Sequence, residues 1–103
     1  SLAAGCEYDC ICIIKPDANE ILSKMQLGRG IVWSLAYEPK GQSLAAGCEE
    51  GCVWIIKPDA NEILSKMQLG GGMVCSLAYE PTGRSLAAGC EEGCVWIIKP
   101  DAN

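Results

Sequence analysis

Residues 43–61 and 85–103 are identical, and 1–42 differs from 43–84 at only nine positions. The chain of 103 residues is therefore two 42-residue units followed by nineteen residues of a third. That repeat constrains the fold more than any other feature. A unit this short cannot bury its own apolar surface, so it must cover it with its copies. No room is left for a separate domain.

The apolar runs are rich in Val, Ile and Gly, and several fall within each unit. A period of roughly 40–45 residues built of short β-prone runs suits the blades of a β-propeller better than a helical solenoid. Eight of the nine differences between the first two units need one base change each, Cys12/Trp54 and Trp33/Cys75 among them. A designer would not exchange a buried Trp for Cys, because cores tolerate volume changes badly. The differences therefore read as drift after a tandem duplication, with a diversified design as the alternative.

Turn signals divide one unit into four extended runs. The segment 31–37 ends at Glu38-Pro39-Lys40-Gly41, where Pro presets one turn angle and Gly closes the turn. The segment 43–48 leads into Glu49-Glu50-Gly51, a three-residue hairpin loop with Gly suited to the left-handed position. The third run, 52–57, is apolar on both faces and is expected to be a buried central strand, stopped by Pro58-Asp59. The fourth, 62–69, fits a helix and an edge strand equally well alone. The unit as a whole favours the strand.

The run from Val32 to Gly41, followed by Leu44 to Val53, resembles the WD-repeat β-propeller family. It has that family's order of inner strand, Pro-x-Gly turn, small-residue strand and acidic-Gly hairpin, at the same period along the whole chain. The resemblance implies an all-β fold, a partial propeller of about two and a half four-stranded antiparallel blades. It divides the chain into 1–27 (strands b, c, d), 28–69 (a to d) and 70–103 (a, b, c). The family's hydrogen-bonded tetrad of loop His, strand Ser/Thr, hairpin Asp and Trp-Asp has no counterpart. The chain has no His, Cys48 holds the Ser position, Glu50 or Tyr8 the Asp position, and Ile56-Lys57 the Trp-Asp. Cohesion must then come from apolar packing between blades.

A propeller needs about four to eight blades. The chain is accordingly expected to be an excerpt of a longer propeller, as the absent initiator Met and mid-unit ends suggest, or to form homo-oligomers through exposed blade faces.

The family resemblance implies a non-enzymatic protein-interaction scaffold, and the charge pattern adds where a partner would bind. On a propeller the b–c hairpins and d–a loops share one rim. That rim would carry Glu7, Asp9, Glu49, Glu50, Glu91 and Glu92, opposed by Arg29 alone, which is the whole net charge of −5. Tyr8 adds an aromatic at the first hairpin tip. Such a face would steer a basic protein or peptide; the plainer alternative is a solvated hairpin edge. The same charge argues against nucleic acid as partner. No apolar stretch approaches a membrane span, and there is no secretory leader, so the expected setting is cytoplasmic, with no membrane partner.

Eight cysteines remain. Cys6/Cys10, Cys48/Cys52 and Cys90/Cys94 bracket the same hairpin in each unit. They read first as small buried thiols in a reducing compartment. A redox disulfide is the second reading, and a zinc site a weak third, since C-x-x-x-C without His is a poor zinc pattern. No cofactor or metal is expected. A catalytic thiol would have no His to activate it. Gly28-Arg29-Gly30 is no phosphate cradle, because no helix follows it. Trp33, Trp54 and Trp96 are expected in the core or between blades.

Overall fold

The computed structural model describes residues 2–6, 10–15, 20–28 and 30–100. Among the described residues, ten strands form three antiparallel sheets in meander order. The first contains β1 (Leu2–Cys6), β2 (Cys10–Lys15) and β3 (Glu20–Gln26). The middle one contains β4 (Val32–Tyr37), β5 (Leu44–Cys48), β6 (Cys52–Lys57) and β7 (Glu62–Gln68). The last contains β8 (Val74–Tyr79), β9 (Leu86–Cys90) and β10 (Val95–Ile98).

The turns form where their chemistry dictates. Gly41 donates to the Glu38 carbonyl at 2.7 Å and Gly83 to that of Glu80 at 2.9 Å, closing the Pro-x-Gly turns. In the hairpin after β5, Gly51 donates to the Cys48 carbonyl at 3.1 Å. Its φ of 85° is one that an L side chain rarely adopts, which is why Gly ends this loop. A single 3-10 turn, Pro58–Ala60, separates β6 from β7 and ends at Asn61 in the left-handed region.

The ambiguous fourth run is a strand. Ser65 lies opposite Ile55 and Ile63 opposite Ile56, so Leu64 is the extra residue of a bulge. Ile63 and Leu64 are both exposed, as befits an outermost strand. The expected buried central strand is also present: Cys52, Val53, Ile55 and Ile56 are all buried.

Two apolar cores lie between the sheets, and the second is the first displaced by one repeat. Ile11, Ile13, Met25 and Leu27 of the first sheet segment meet Val32, Leu44, Ala46, Cys48 and Ile56 of the middle one. Forty-two residues on, Val53, Ile55, Met67 and Leu69 meet Val74, Leu86, Ala88, Cys90 and Ile98. The two inner strands of the middle sheet, β5 and β6, thus send alternate residues into opposite cores. Ala46 goes to the first core and Ala45 to the second. Each fully buried Val, Leu or Ile in these cores contributes about 1.5–3 kcal/mol. Cohesion between the sheets is mainly apolar, and the Ser34 hydroxyl adds a polar tie by donating to the Val74 carbonyl at 3.1 Å.

Glycine lets the sheets approach. A Cβ on Gly47 would stand 2.5 Å from Val74 Cγ1 and 2.4 Å from Ser34 Oγ. Gly5 lies against Val32 in the same way, 42 residues earlier. Among the described residues no helix is long and apolar enough to cross a membrane.

Candidate functional site

The hairpins after β5 and β9 and the loops that enter β4 and β8 come together at one end of the strands. The Glu49 amide donates to the Ile31 carbonyl at 2.9 Å, and Glu91 donates to Met73 at the same distance. Each hairpin is thereby tied to the loop entering its own sheet.

The loop 69–73 is held from both sides. From the middle sheet, Gly51 accepts from the Leu69 amide at 2.8 Å, and the Gln68 side-chain amide donates to the Glu50 carbonyl at 2.8 Å. From the last sheet, the Glu92 amide donates to the Gly71 carbonyl at 3.0 Å, and the Trp96 indole donates to the Gly70 carbonyl at 2.8 Å. Glu91 Oε1 accepts from the Met73 amide at 3.5 Å. The result is a shelf of glycine backbone flanked by two acidic hairpin tips.

Glycine is required on that shelf. Gly72 has a φ of 80°, and a Cβ there would lie 2.7 Å from Glu91 Oε1 and 3.2 Å from Glu92 Oε2. Any side chain would push the carboxylates away. Of the candidate residues, Glu49, Glu50, Glu91 and Glu92 are exposed at these tips. Glu7, Tyr8, Asp9 and Arg29 lie outside the described residues.

The cysteines sit beneath the rim. Cys75, Cys90 and Cys94 are thiols. The Cys90 amide donates to the Cys94 carbonyl at 2.9 Å, so the hairpin ends are cross-strand neighbours as the spacing implies. Burial pushes the Cys90 thiol up, and a hydrogen bond with Cys94 together with the charges of Cys94, Cys75 and Glu92 adds to the rise. A nucleophilic cysteine needs the opposite shift. In the middle sheet, Cys52 Sγ donates to Gln68 Oε1 at 3.3 Å, which helps orient the side chain that holds Glu50. Among the described residues, no group of three or more His, Cys, Asp or Glu side chains is placed to hold a metal ion.

One tryptophan is placed as expected and two are not. Trp54 packs against the first core, with Lys66 Nζ 4.7 Å from its ring centroid. Trp33 is half exposed and Trp96 is exposed as well. The reason for Trp33 lies in the register. Val32 pairs with Cys48 and Ser34 with Gly47, so Trp33 is the unpaired residue of a bulge. Cys75 occupies the same bulge in the last sheet. A bulge residue turned toward solvent can change size freely, so the Trp33/Cys75 exchange does not disturb a core.

A groove between the middle and last sheets, lined by Glu38, Lys57, Glu62, Tyr79 and Pro100, opens at the other end of the strands. Sequence reasoning did not anticipate it, because its walls come from turns far apart in the chain.

Stacked antiparallel sheets of three and four strands, with their hairpins and connecting loops at one rim, define a partial β-propeller. The WD domain, G-beta repeat (WD40) model matches residues 20–57 and 65–99, more than half of the chain, and the chain belongs to that family. The fold is similar to a chain in the crystal structure of the mitotic checkpoint complex. The TM-score is 0.88 at 22% identity, over 97% of this chain and 32% of that one. It is also similar to the β-propeller domain of Myceliophteria thermophila Cps50 (Swd1), with a TM-score of 0.86 at 15% identity, over 97% of this chain and 31% of that one. The chain thus spans about a third of the length of these structures. Among curated proteins, none matches the sequence.

Proposed function

We propose that this chain is a non-enzymatic protein-interaction scaffold, an arc of a larger propeller whose hairpin rim receives a basic peptide or protein surface. The observation that carries the reading is the shelf at 69–73, where exposed Glu49, Glu50, Glu91 and Glu92 flank a run of three glycines without side chains. A peptide backbone could lie against such a shelf while lysines or arginines meet the carboxylates on either side. One structural neighbour is itself part of a multi-protein complex, the mitotic checkpoint complex, which supports a protein partner. The absence of His from the sequence and the raised Cys90 thiol support a binding role over a catalytic one.

Calorimetric titration with a short lysine- and arginine-rich peptide tests this. Binding should weaken steeply between low and high salt, because exposed charges are screened within about 10 Å at 0.1 M ionic strength. Changing Glu49, Glu50, Glu91 and Glu92 together to Gln should weaken it at least about 10-fold. An affinity indifferent to salt and to those four substitutions would discard the acidic-rim reading.

A further inference from the structure

The two identical hairpins, 48–52 and 90–94, carry cysteine pairs that sit differently beneath the rim. Cys48 and Cys52 are sealed in the first core at 0% and 2% exposure, and Cys52 Sγ donates to Gln68 Oε1 at 3.3 Å. Cys90 lies in the second core and half-buried Cys94 packs against it, on the face turned to the middle sheet. Over this last pair lies Gly71. A Cβ there would stand 2.2 Å from Cys94 Sγ, 3.2 Å from Cys90 Cβ and 3.7 Å from Cys90 Sγ. Glycine thus puts no side chain over either sulfur, whereas the first unit has Arg29 at the same position of the repeat.

We propose that Cys90 and Cys94 form a reversible dithiol site, which a small disulfide such as oxidised glutathione converts to a disulfide across the hairpin. The two residues stand opposite each other, the Cys90 amide donating to the Cys94 carbonyl at 2.9 Å. Paired residues of this kind have Cα atoms about 5.5 Å apart, inside the span of about 4.4–6.8 Å that a disulfide bridges. Their thiols share a hydrogen bond. Cys94, the less buried of the two, takes the first step. Its thiolate attacks one sulfur of the small disulfide, which forms a mixed disulfide and expels one thiolate. The Cys90 thiolate then attacks the Cys94 sulfur and expels the second. Two cysteine thiols are oxidised to one bond, the reagent is reduced to two thiols, and those thiols take up the two cysteine protons. Oxidation also removes the hydrogen that Cys94 Sγ donates to the Gly70 carbonyl at 3.8 Å, one tie between the last sheet and the loop 69–73. The site does not depend on the rim's binding a basic partner.

The test is to incubate the folded chain with oxidised glutathione, quench by alkylation in acid and map the bonds by mass spectrometry. Tryptic peptides beginning at Gly41 and at Ser85 tell the two identical pairs apart. The expected first product has lost two hydrogen atoms and holds the Cys90–Cys94 bond, formed at least about 10-fold faster than a Cys48–Cys52 bond. Dithiothreitol should restore the thiols. The rate should rise with pH as the raised Cys90 thiol gives up its proton. Cys94→Ser should abolish the bond and Cys75→Ser should leave it unchanged, with circular dichroism melts showing that each variant is folded. A chain that stays fully reduced while folded overturns the proposal, as does equal oxidation of the two pairs. A bond to Cys75 in place of Cys94 overturns it too, because it moves the site to the bulge.

Discussion

The middle and last sheets carry nearly the same sequence and live in different surroundings. Residues 43–61 and 85–103 are identical. Yet Val53 and Ile55 are sealed inside a core while Val95 and Ile97 are about two-thirds exposed. Gly47 is pressed against Val74 of the next sheet; Gly89, its counterpart, approaches only Ser76 of its own sheet. What the pair teaches is that burial here is a property of having a neighbour. Local sequence makes the strand and its apolar face, and the adjoining copy decides whether that face is a core or a surface.

The sharpest way to break this comparison is to truncate the same residue in both sheets. Ile55→Ala should cost about 2–5 kcal/mol of unfolding free energy in urea titration, since it opens a cavity between two sheets. Ile97→Ala should cost less than about 1 kcal/mol, within the range of surface changes. Equal losses would mean that the two positions share an environment after all.

A smaller contrast is expected at the glycines. Gly47→Ala places a methyl within van der Waals radii of Val74 and Ser34, and overpacking of that kind costs about 1–3 kcal/mol. Gly89→Ala meets only the Ser76 hydroxyl, which can rotate away. It should be neutral or slightly stabilising, as alanine restricts the unfolded strand more than glycine does. Thermal melts of the two variants, run side by side, check the sign of the difference.

The smallest effect concerns pH. The folded Cys90 thiol is raised by burial and by its acidic and thiol neighbours. The unfolded chain therefore releases that proton first as pH rises. Stability should fall once pH passes the ordinary thiol range of about 8.5, and the fall should level off above the raised value. Cys90→Ala should flatten that part of the pH profile in urea titrations. An unchanged slope would show that the thiol is solvated like any exposed cysteine.

Much of this was legible in the sequence. The Pro-x-Gly turns at Glu38–Gly41 and Glu80–Gly83 and the Glu-Glu-Gly hairpins depend on contacts a few residues apart, and their residues announce them. The doubly apolar run Cys52–Lys57 announces a strand covered on both faces. The fourth run was ambiguous because Ile63, Leu64 and Met67 satisfy a helical and an extended pattern alike; pairing with β6 selects the strand. Trp33 was misread for a related reason. Nothing in its neighbours reveals that Val32 and Ser34 pair with consecutive residues of β5, leaving Trp33 out of the ladder and half in solvent. The acidic tips of the candidate site could be foreseen as hairpin residues, but not the clamp on the 69–73 loop between them.

By itself, the sequence determined the period, the strands, the turns that join them and the apolar stripe on each strand. All of these follow from local backbone preferences and side-chain alternation. Only the tertiary structure decided which copies of that stripe are buried, where the bulges fall and how two hairpins hold one loop. Those outcomes rest on contacts between segments roughly fifteen to forty residues apart, and identical residues acquire different fates when one of them has a sheet beside it.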